Sequence, residues 1–187
     1  MDSAELLPPA GTKPAPRPGS RFISSLLLAV LLVVAVSVVG LKAAGFRVGI
    51  DVQRLIGEPA CMPTLVYLWH KPDRATPLKG DYVVARMPET GMGVGARKGD
   101  RIVKKVMATE GDRVRIQGTE LWINEQHTER LWLAKSIPGR APGDFDRDSV
   151  MGEHEMFLMG TTKESFDSRY WGTLRREQVL GYAIPLL

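Results

Sequence analysis

Hydrophobic and polar positions divide the chain into three regimes. Residues 1–21 hold Pro8, Pro9, Pro14, Pro16 and Pro18 with Gly11 and Gly19, and little that can pack, so they are expected to be a disordered tail. From Phe22 to Leu41 there are 20 residues without a charge, interrupted only by Ser24, Ser25 and Ser37. At about 1.5 Å of rise per residue such a helix covers roughly 30 Å, the thickness of a bilayer's hydrocarbon core. A cleaved signal peptide would have an apolar region of about 7–15 residues with small residues before the cut. This run is longer, and Lys42 spoils a small-x-small match ending at Ala44. Residues 22–42 therefore read as a retained transmembrane anchor.

The third regime, residues 45–187, reads as mainly β after a short start. Phe46, Ile50 and Ile56 fall loosely on one side of an amphipathic helix over 45–57. Apolar or alternating runs then appear at Leu65–Trp69, Tyr82–Arg86, Ile102–Met107, Arg113–Ile116, Leu121–Ile123, Glu155–Met159 and Gly181–Leu187. Turn signals separate them, among them Gly80-Asp81, Gly99-Asp100, Gly111-Asp112 and Gly118-Thr119. Many short strands at this spacing predict a compact β-barrel or sandwich-like domain. Residues 138–152, rich in Pro, Gly and Asp, are expected to be a long polar loop. Trp69, Trp122 and Trp132 suit either the core or an aromatic belt at a lipid interface.

One strand carries an anomaly. Lys104 and Lys105 sit among Ile102, Val103, Val106 and Met107, and neighbouring side chains on a strand point to opposite faces. One lysine then faces solvent and the other the apolar side. An inward amine is costly unless it is paired or neutral, and in the neutral form it is a usable general base.

At 187 residues the chain is long enough for one domain with a real core plus an anchor. Its net charge of +4 comes without any run of basic residues alternating with aromatics, so no nucleic-acid partner is expected. Lys13, Arg17 and Arg21 before the apolar span favour a cytoplasmic N-terminus, against the weaker pull of Lys42 and Arg47 after it. That topology puts residues 45–187 outside the cytoplasm, with the bilayer as a partner. The chain has a single cysteine, so no intrachain disulfide can form and Cys61 is either an inert buried thiol or a reactive one. It lies in Glu58-Pro59-Ala60-Cys61-Met62-Pro63-Thr64, where two prolines stiffen a loop.

Four ordered segments resemble the type I signal peptidases, the membrane-bound Ser/Lys family. Met62-Pro63-Thr64 follows the anchor where that family has Ser-Met-x-Pro-Thr, and Gly80-Asp81-Tyr82-Val83-Val84 matches Gly-Asp-x-Val-Val. Lys104 to Asp112 matches the base-bearing segment Lys-Arg-Val-x-Gly-x-Pro-Gly-Asp. Ser165-Phe166-Asp167-Ser168-Arg169-Tyr170-Trp171-Gly172 matches the last and most specific box. The two-step spacing from Cys61 to Pro63 is similar to the conjugative-transfer, pilin-processing branch.

The resemblance implies a compact signal-peptidase-like β domain tethered by one N-terminal transmembrane helix to a bacterial inner membrane, with the catalytic domain in the periplasm. It implies Cys61 as nucleophile in the place of the family's serine and Lys104, rather than Lys105, as base. Ser165 would hold the lysine, Asp167 and Arg169 would form a bracing ion pair, and Met62, Pro63 and Tyr82 would line the substrate site. No metal and no cofactor is implied. Pro59 stands where signal peptidases often have a hydroxyl that helps the oxyanion hole, so stabilisation there is left to backbone N–H groups such as that of Cys61. Gly160-Thr161-Thr162-Lys163 replaces the usual Gly-Asp-x-Arg approach. The expected activity is removal of leader peptides from exported preproteins, a conjugative pilin precursor among them. The alternatives are a transpeptidase or cyclase using the same acyl-enzyme, and a non-catalytic assembly protein of a conjugation or type IV secretion apparatus.

Overall fold

The computed structural model describes residues 20–51, 61–62, 64–73, 76–88 and 97–186. The chain divides after Leu41 into two units. The first is essentially one helix, α1 (Ser20–Ala43), with Lys42 in its last turn, where a cation faces the unpaired carbonyls. Its large apolar side chains from Phe22 to Leu41 are exposed, the state of a helix compatible with a single-pass membrane anchor.

The second unit is built on two antiparallel sheets. In chain order the strands are β1 (Arg47–Ile50), β2 (Val66–His70), β3 (Tyr82–Arg86), β4 (Arg101–Ala108), β5 (Arg113–Gln117), β6 (Glu120–Ile123), β7 (Gln126–Arg130), β8 (Arg147–Val150), β9 (Glu155–Met159), β10 (Leu174–Arg175) and β11 (Val179–Pro185). The larger sheet has the order β1-β2-β11-β3-β4-β9-β10 and the smaller β7-β6-β5-β8. The expected class, mainly β with an N-terminal apolar helix, is what the chain adopts.

The central position of β4 follows from its sequence. Val103 packs with Met62, Trp69, Val84 and Ala183 on one side. Val106 packs with Val83, Ala85, Met156 and Leu158 in another buried cluster. A strand covered on both faces is rich in β-branched residues throughout rather than strictly alternating. A third cluster, around Leu121, Phe145, Phe157 and Tyr170, joins the two sheets' residues into a larger core.

Two expectations are corrected. Residues 45–57 do not begin with a helix: Arg47–Ile50 is strand β1, paired with β2 from Arg47↔Trp69 to Ile50↔Val66. Gly49 leaves room there for the Tyr67 ring, which a Cβ would have to displace. The second half of that stretch, with Ile56, lies outside the described residues. Residues 138–152 are not a plain loop either. Pro142–Phe145 form a 3₁₀ turn with Phe145 buried, and β8 pairs with β5 from Arg113↔Val150 to Ile116↔Arg147. Of the tryptophans, Trp69 is buried in the core, whereas Trp132 is 44% exposed, with Lys163 at 4.7 Å and Arg130 at 5.5 Å from its ring.

Candidate active site

The register of β4 decides which lysine turns inward. Lys104 stands opposite Val83 on β3 and Lys105 opposite Tyr82, so the two amines leave on opposite faces. Lys104 is 1% exposed; Lys105 is half-buried, with its amine 5.9 Å from the Tyr82 ring. A buried amine needs a polar partner. Lys104 Nζ finds one by donating to Ser165 Oγ at 2.7 Å. On the other edge of β4 the ladder pairs Lys105 with Met159 of β9. One more step sets Lys104 level with Gly160, where β9 ends and the segment leading to Ser165 begins.

That segment is tied down from within. Ser165 is fully buried, its N–H donates to the Thr162 carbonyl at 3.3 Å, and its own carbonyl accepts from Arg169 Nη2 at 3.2 Å. Arg169 grips Asp167 with two side-chain bonds, Nε to Oδ1 at 2.8 Å and Nη2 to Oδ2 at 2.7 Å. It also donates to the carbonyls of Arg130 at 3.1 Å and Thr162 at 3.4 Å. Burial alone would lower the guanidinium's pKa, but the Asp167 hydrogen bonds and charge raise it overall, so Arg169 stays a cation inside the protein. Asp167 accepts in addition from the Gly160 N–H at 2.9 Å and caps the one-turn helix α2 (Ser168–Trp171) through the Arg169 N–H. Burial pushes the Tyr170 phenol up to about 12, and the Leu133 N–H donates to its oxygen at 2.9 Å.

Cys61 reaches the same place from the other side. It is half-buried, and its carbonyl accepts from the Thr161 N–H at 2.9 Å. Met62, 2% exposed, is plugged into the cluster with Trp69 and Val103, which fixes the chain next to the thiol. Pro63 and Pro59 lie outside the described residues.

Gly160 is the pivot. A Cβ there would overlap Ser165 Oγ and Cβ and come within 2.8 Å of the Cys61 carbonyl oxygen. The serine that holds Lys104 and the main chain of the cysteine thus flank one glycine. Gly160→Ala is expected to push them apart and, if both act in the reaction, to lower kcat/KM by about 10²-fold, the scale set by a 1 Å misplacement. Steady-state kinetics alongside a thermal midpoint checks this; an alanine variant with full activity would remove the pivot.

A buried amine on a hydroxyl, beside a loop carrying a thiol, is the equipment of nucleophilic acyl transfer. The model of one family, described as signal peptidase, peptidase S26, matches residues 20–187. The chain belongs to that family of peptidases. Signal peptidase I of Bacillus caldolyticus is 29% identical over 96 residues, 46% of this chain and 53% of that protein, so the match spans about half of that relative. Plasmid transfer protein TraF of Escherichia coli is 31% identical over 124 residues, 58% of this chain and 70% of that protein. Signal peptidase I of Leptolyngbya laminosa is 24% identical over 198 residues, covering 98% and 91% respectively.

In this S26 member, Lys104, Ser165 and the backbone of Cys61 converge on Gly160, with the Asp167–Arg169 pair directly behind Ser165. Tyr82 stands on the neighbouring strand, opposite Lys105. Sequence reasoning gives no role to Gly160, nor to Arg147, which sits in the stretch expected to be a loop. Arg147 Nη1 donates to the Ser168 carbonyl at 3.4 Å and its Nε to the Phe145 carbonyl at 3.2 Å, bracing α2 from outside. The signal for Gly160 is its place at the start of the Gly160-Thr161-Thr162-Lys163 segment that leads to the final box.

Proposed function

We propose that this S26 member is a membrane-anchored endopeptidase that removes leader peptides from exported preproteins, using Cys61 as nucleophile and Lys104 as general base. The observation that carries the reading is the 2.7 Å bond from buried Lys104 to Ser165, set beside the segment that grips the Cys61 main chain. In the proposed reaction Cys61 gives its proton to Lys104 and the sulfur attacks the scissile carbonyl. The tetrahedral oxyanion is held by backbone N–H groups, that of Cys61 among them; one such donor is worth about 2.7–4 kcal/mol. Collapse breaks the C–N bond, Lys104 returns the proton to the leaving amine, and the leader remains as a thioester. Water then adds to the thioester, losing a proton to Lys104, and releases the leader carboxylate and the thiol.

A thiol suits this role because its ordinary pKa, about 8.5, lies below that of an amine, so ionisation can precede attack. Met62, Pro63 and Tyr82 are proposed to border the substrate site, which would admit small side chains before the cut. The 31% identity with a plasmid transfer protein supports a substrate from a conjugation system, a pilin precursor being the natural one. Lys13, Arg17 and Arg21 support an N-terminus in the cytoplasm and a catalytic domain across the inner membrane, with α1 as its anchor.

The test is to incubate the full chain in detergent micelles with leader-bearing precursors and to weigh the products. Two fragments whose masses together exceed the precursor by one water identify hydrolysis. A product lacking that water identifies ligation or cyclisation by an amine that opened the same thioester. Iodoacetamide is expected to stop the reaction in step with alkylation of Cys61; full labelling with cleavage intact would rule the thiol out.

A further inference from the structure

The four residues after α1 lead into a second feature that peptide cleavage does not use. A cleft of about 610 Å³ lies where the C-terminal turn of α1 gives way to β1, lined by Lys42, Phe46, Arg47, His70 and Lys71 together with Ala44 and Gly45. Every ionisable side chain on its wall is basic. Among the described residues, none of Lys42, Arg47, His70 and Lys71 takes part in an ion pair. Among the described residues the cleft is therefore a concentration of positive charge without a paired carboxylate.

Its walls are fixed by pairing and stacking. Arg47 stands opposite Trp69 in the β1–β2 ladder, which brings it beside His70 and Lys71, and its guanidinium lies 5.0 Å over the Trp69 ring. The Phe46 ring meets the His70 ring edge-on at 5.1 Å, and His70 Nδ1 bonds the Lys71 carbonyl at 2.8 Å. Stacking engages the face of the Arg47 guanidinium, and the in-plane N–H groups of a guanidinium have the geometry that matches two phosphate oxygens at once.

Place follows from chain connection. Lys42 belongs to the last turn of the apolar helix, and Arg47 comes four residues after its end. Four residues reach at most about 14 Å, and the Gly45 N–H bond to the Lys42 carbonyl at 3.0 Å folds the path shorter. If α1 spans the bilayer, as proposed above, Lys42 lies in the headgroup layer, which is some 5–8 Å deep on each side. Arg47 then lies in it or just beyond.

We infer that this cleft binds the phosphodiester headgroup of an anionic phospholipid, with Arg47 on the phosphate oxygens and Lys42 and Lys71 as flanking charges. The volume falls within the range of small-ligand sites. Basic residues at a membrane surface strengthen binding by roughly fivefold for each charge. A lipid held there ties β1 and β2, and through β2 the segment after Cys61, to the membrane surface.

The experiment uses the full chain, purified in detergent and stripped of lipid. Phosphatidylglycerol, phosphatidylcholine or glycerol 3-phosphate is added at equal phosphate concentration, with retained ligand read by native mass spectrometry and stability by thermal midpoint. Phosphatidylglycerol is expected to be retained and to raise the midpoint, and the other two to do neither. Lys71→Gln, an exposed change, should weaken retention about fivefold, and Arg47→Gln/Lys71→Gln about 25-fold. Lys135→Gln, away from the cleft, should bind as wild type, and every variant should match the wild-type midpoint without lipid. Equal retention of phosphatidylcholine, an equal effect of glycerol 3-phosphate, or wild-type retention by the double variant would each overturn the inference. Resistance of the chain to alkaline carbonate extraction reports separately on whether α1 is a retained anchor.

Discussion

Lys104→Met is expected to abolish cleavage and to leave the unfolding midpoint close to that of the wild type. Methionine has nearly the length and volume of lysine and no charge, and the site is 1% exposed, so the core keeps its packing. Replacing a buried polar group with an apolar side chain of similar shape removes the cost of keeping that group out of water. Against that, Ser165 Oγ loses the partner at 2.7 Å, at a cost of about 1–3 kcal/mol for a buried hydroxyl. The two effects oppose each other. Rate has no such compensation, because a positioned base contributes about 10²–10⁴-fold. Cleavage assays beside a denaturant titration separate the outcomes. A Lys104→Met protein that still cuts would take the lysine out of the reaction. One that unfolds early would make the amine a structural post. Cys61→Ala should be equally inactive, and Cys61→Ser weakly active.

Arg169→Met is expected to behave in the opposite way, as a folding defect first. Removing the guanidinium leaves the Asp167 carboxylate in a dry interior without its counter-charge, and strips donors from the carbonyls of Arg130, Thr162 and Ser165. Breaking one side of a buried pair costs about 3–5 kcal/mol. The loss should change little between low and high salt, since both side chains are almost fully buried and screening acts mainly on exposed charges. Asp167→Leu/Arg169→Met should recover part of it, because no lone charge is left behind. Urea titrations of the three proteins check the order. A fully stable Arg169→Met would mean that the pair positions Ser165 without holding the fold.

Comparing these sites with the sequence shows where local pattern carries information. The apolar helix is legible because nothing interrupts it from Phe22 to Leu41, and hydrophobicity at that length has few other outlets. The inward lysine is legible by alternation as a choice between two, since one of Lys104 and Lys105 must face inside; the family resemblance picks Lys104, and Lys104 is the buried one. β1 escapes a reading by pattern because Arg-Val-Gly-Ile is too short for any period to stand out, and Val48 and Ile50 are both exposed, so no buried face marks it. β8 escapes because Arg-Asp-Ser-Val has no apolar stripe. Its strand form comes from a partner, β5, more than thirty residues away in sequence. Gly160 is the hardest, since its contribution is the lack of a side chain between two segments that meet only in the folded chain.

The hold on residue 61 is made through its carbonyl oxygen, bonded by the Thr161 N–H. Every amino acid carries that oxygen. A hydroxyl could therefore be exchanged for a thiol at this position without loosening that bond, and the atom proposed to react is the interchangeable part of the fitting. Under the proposed mechanism, then, serine and cysteine are alternatives for the attacking atom while the main chain that aims it stays the same.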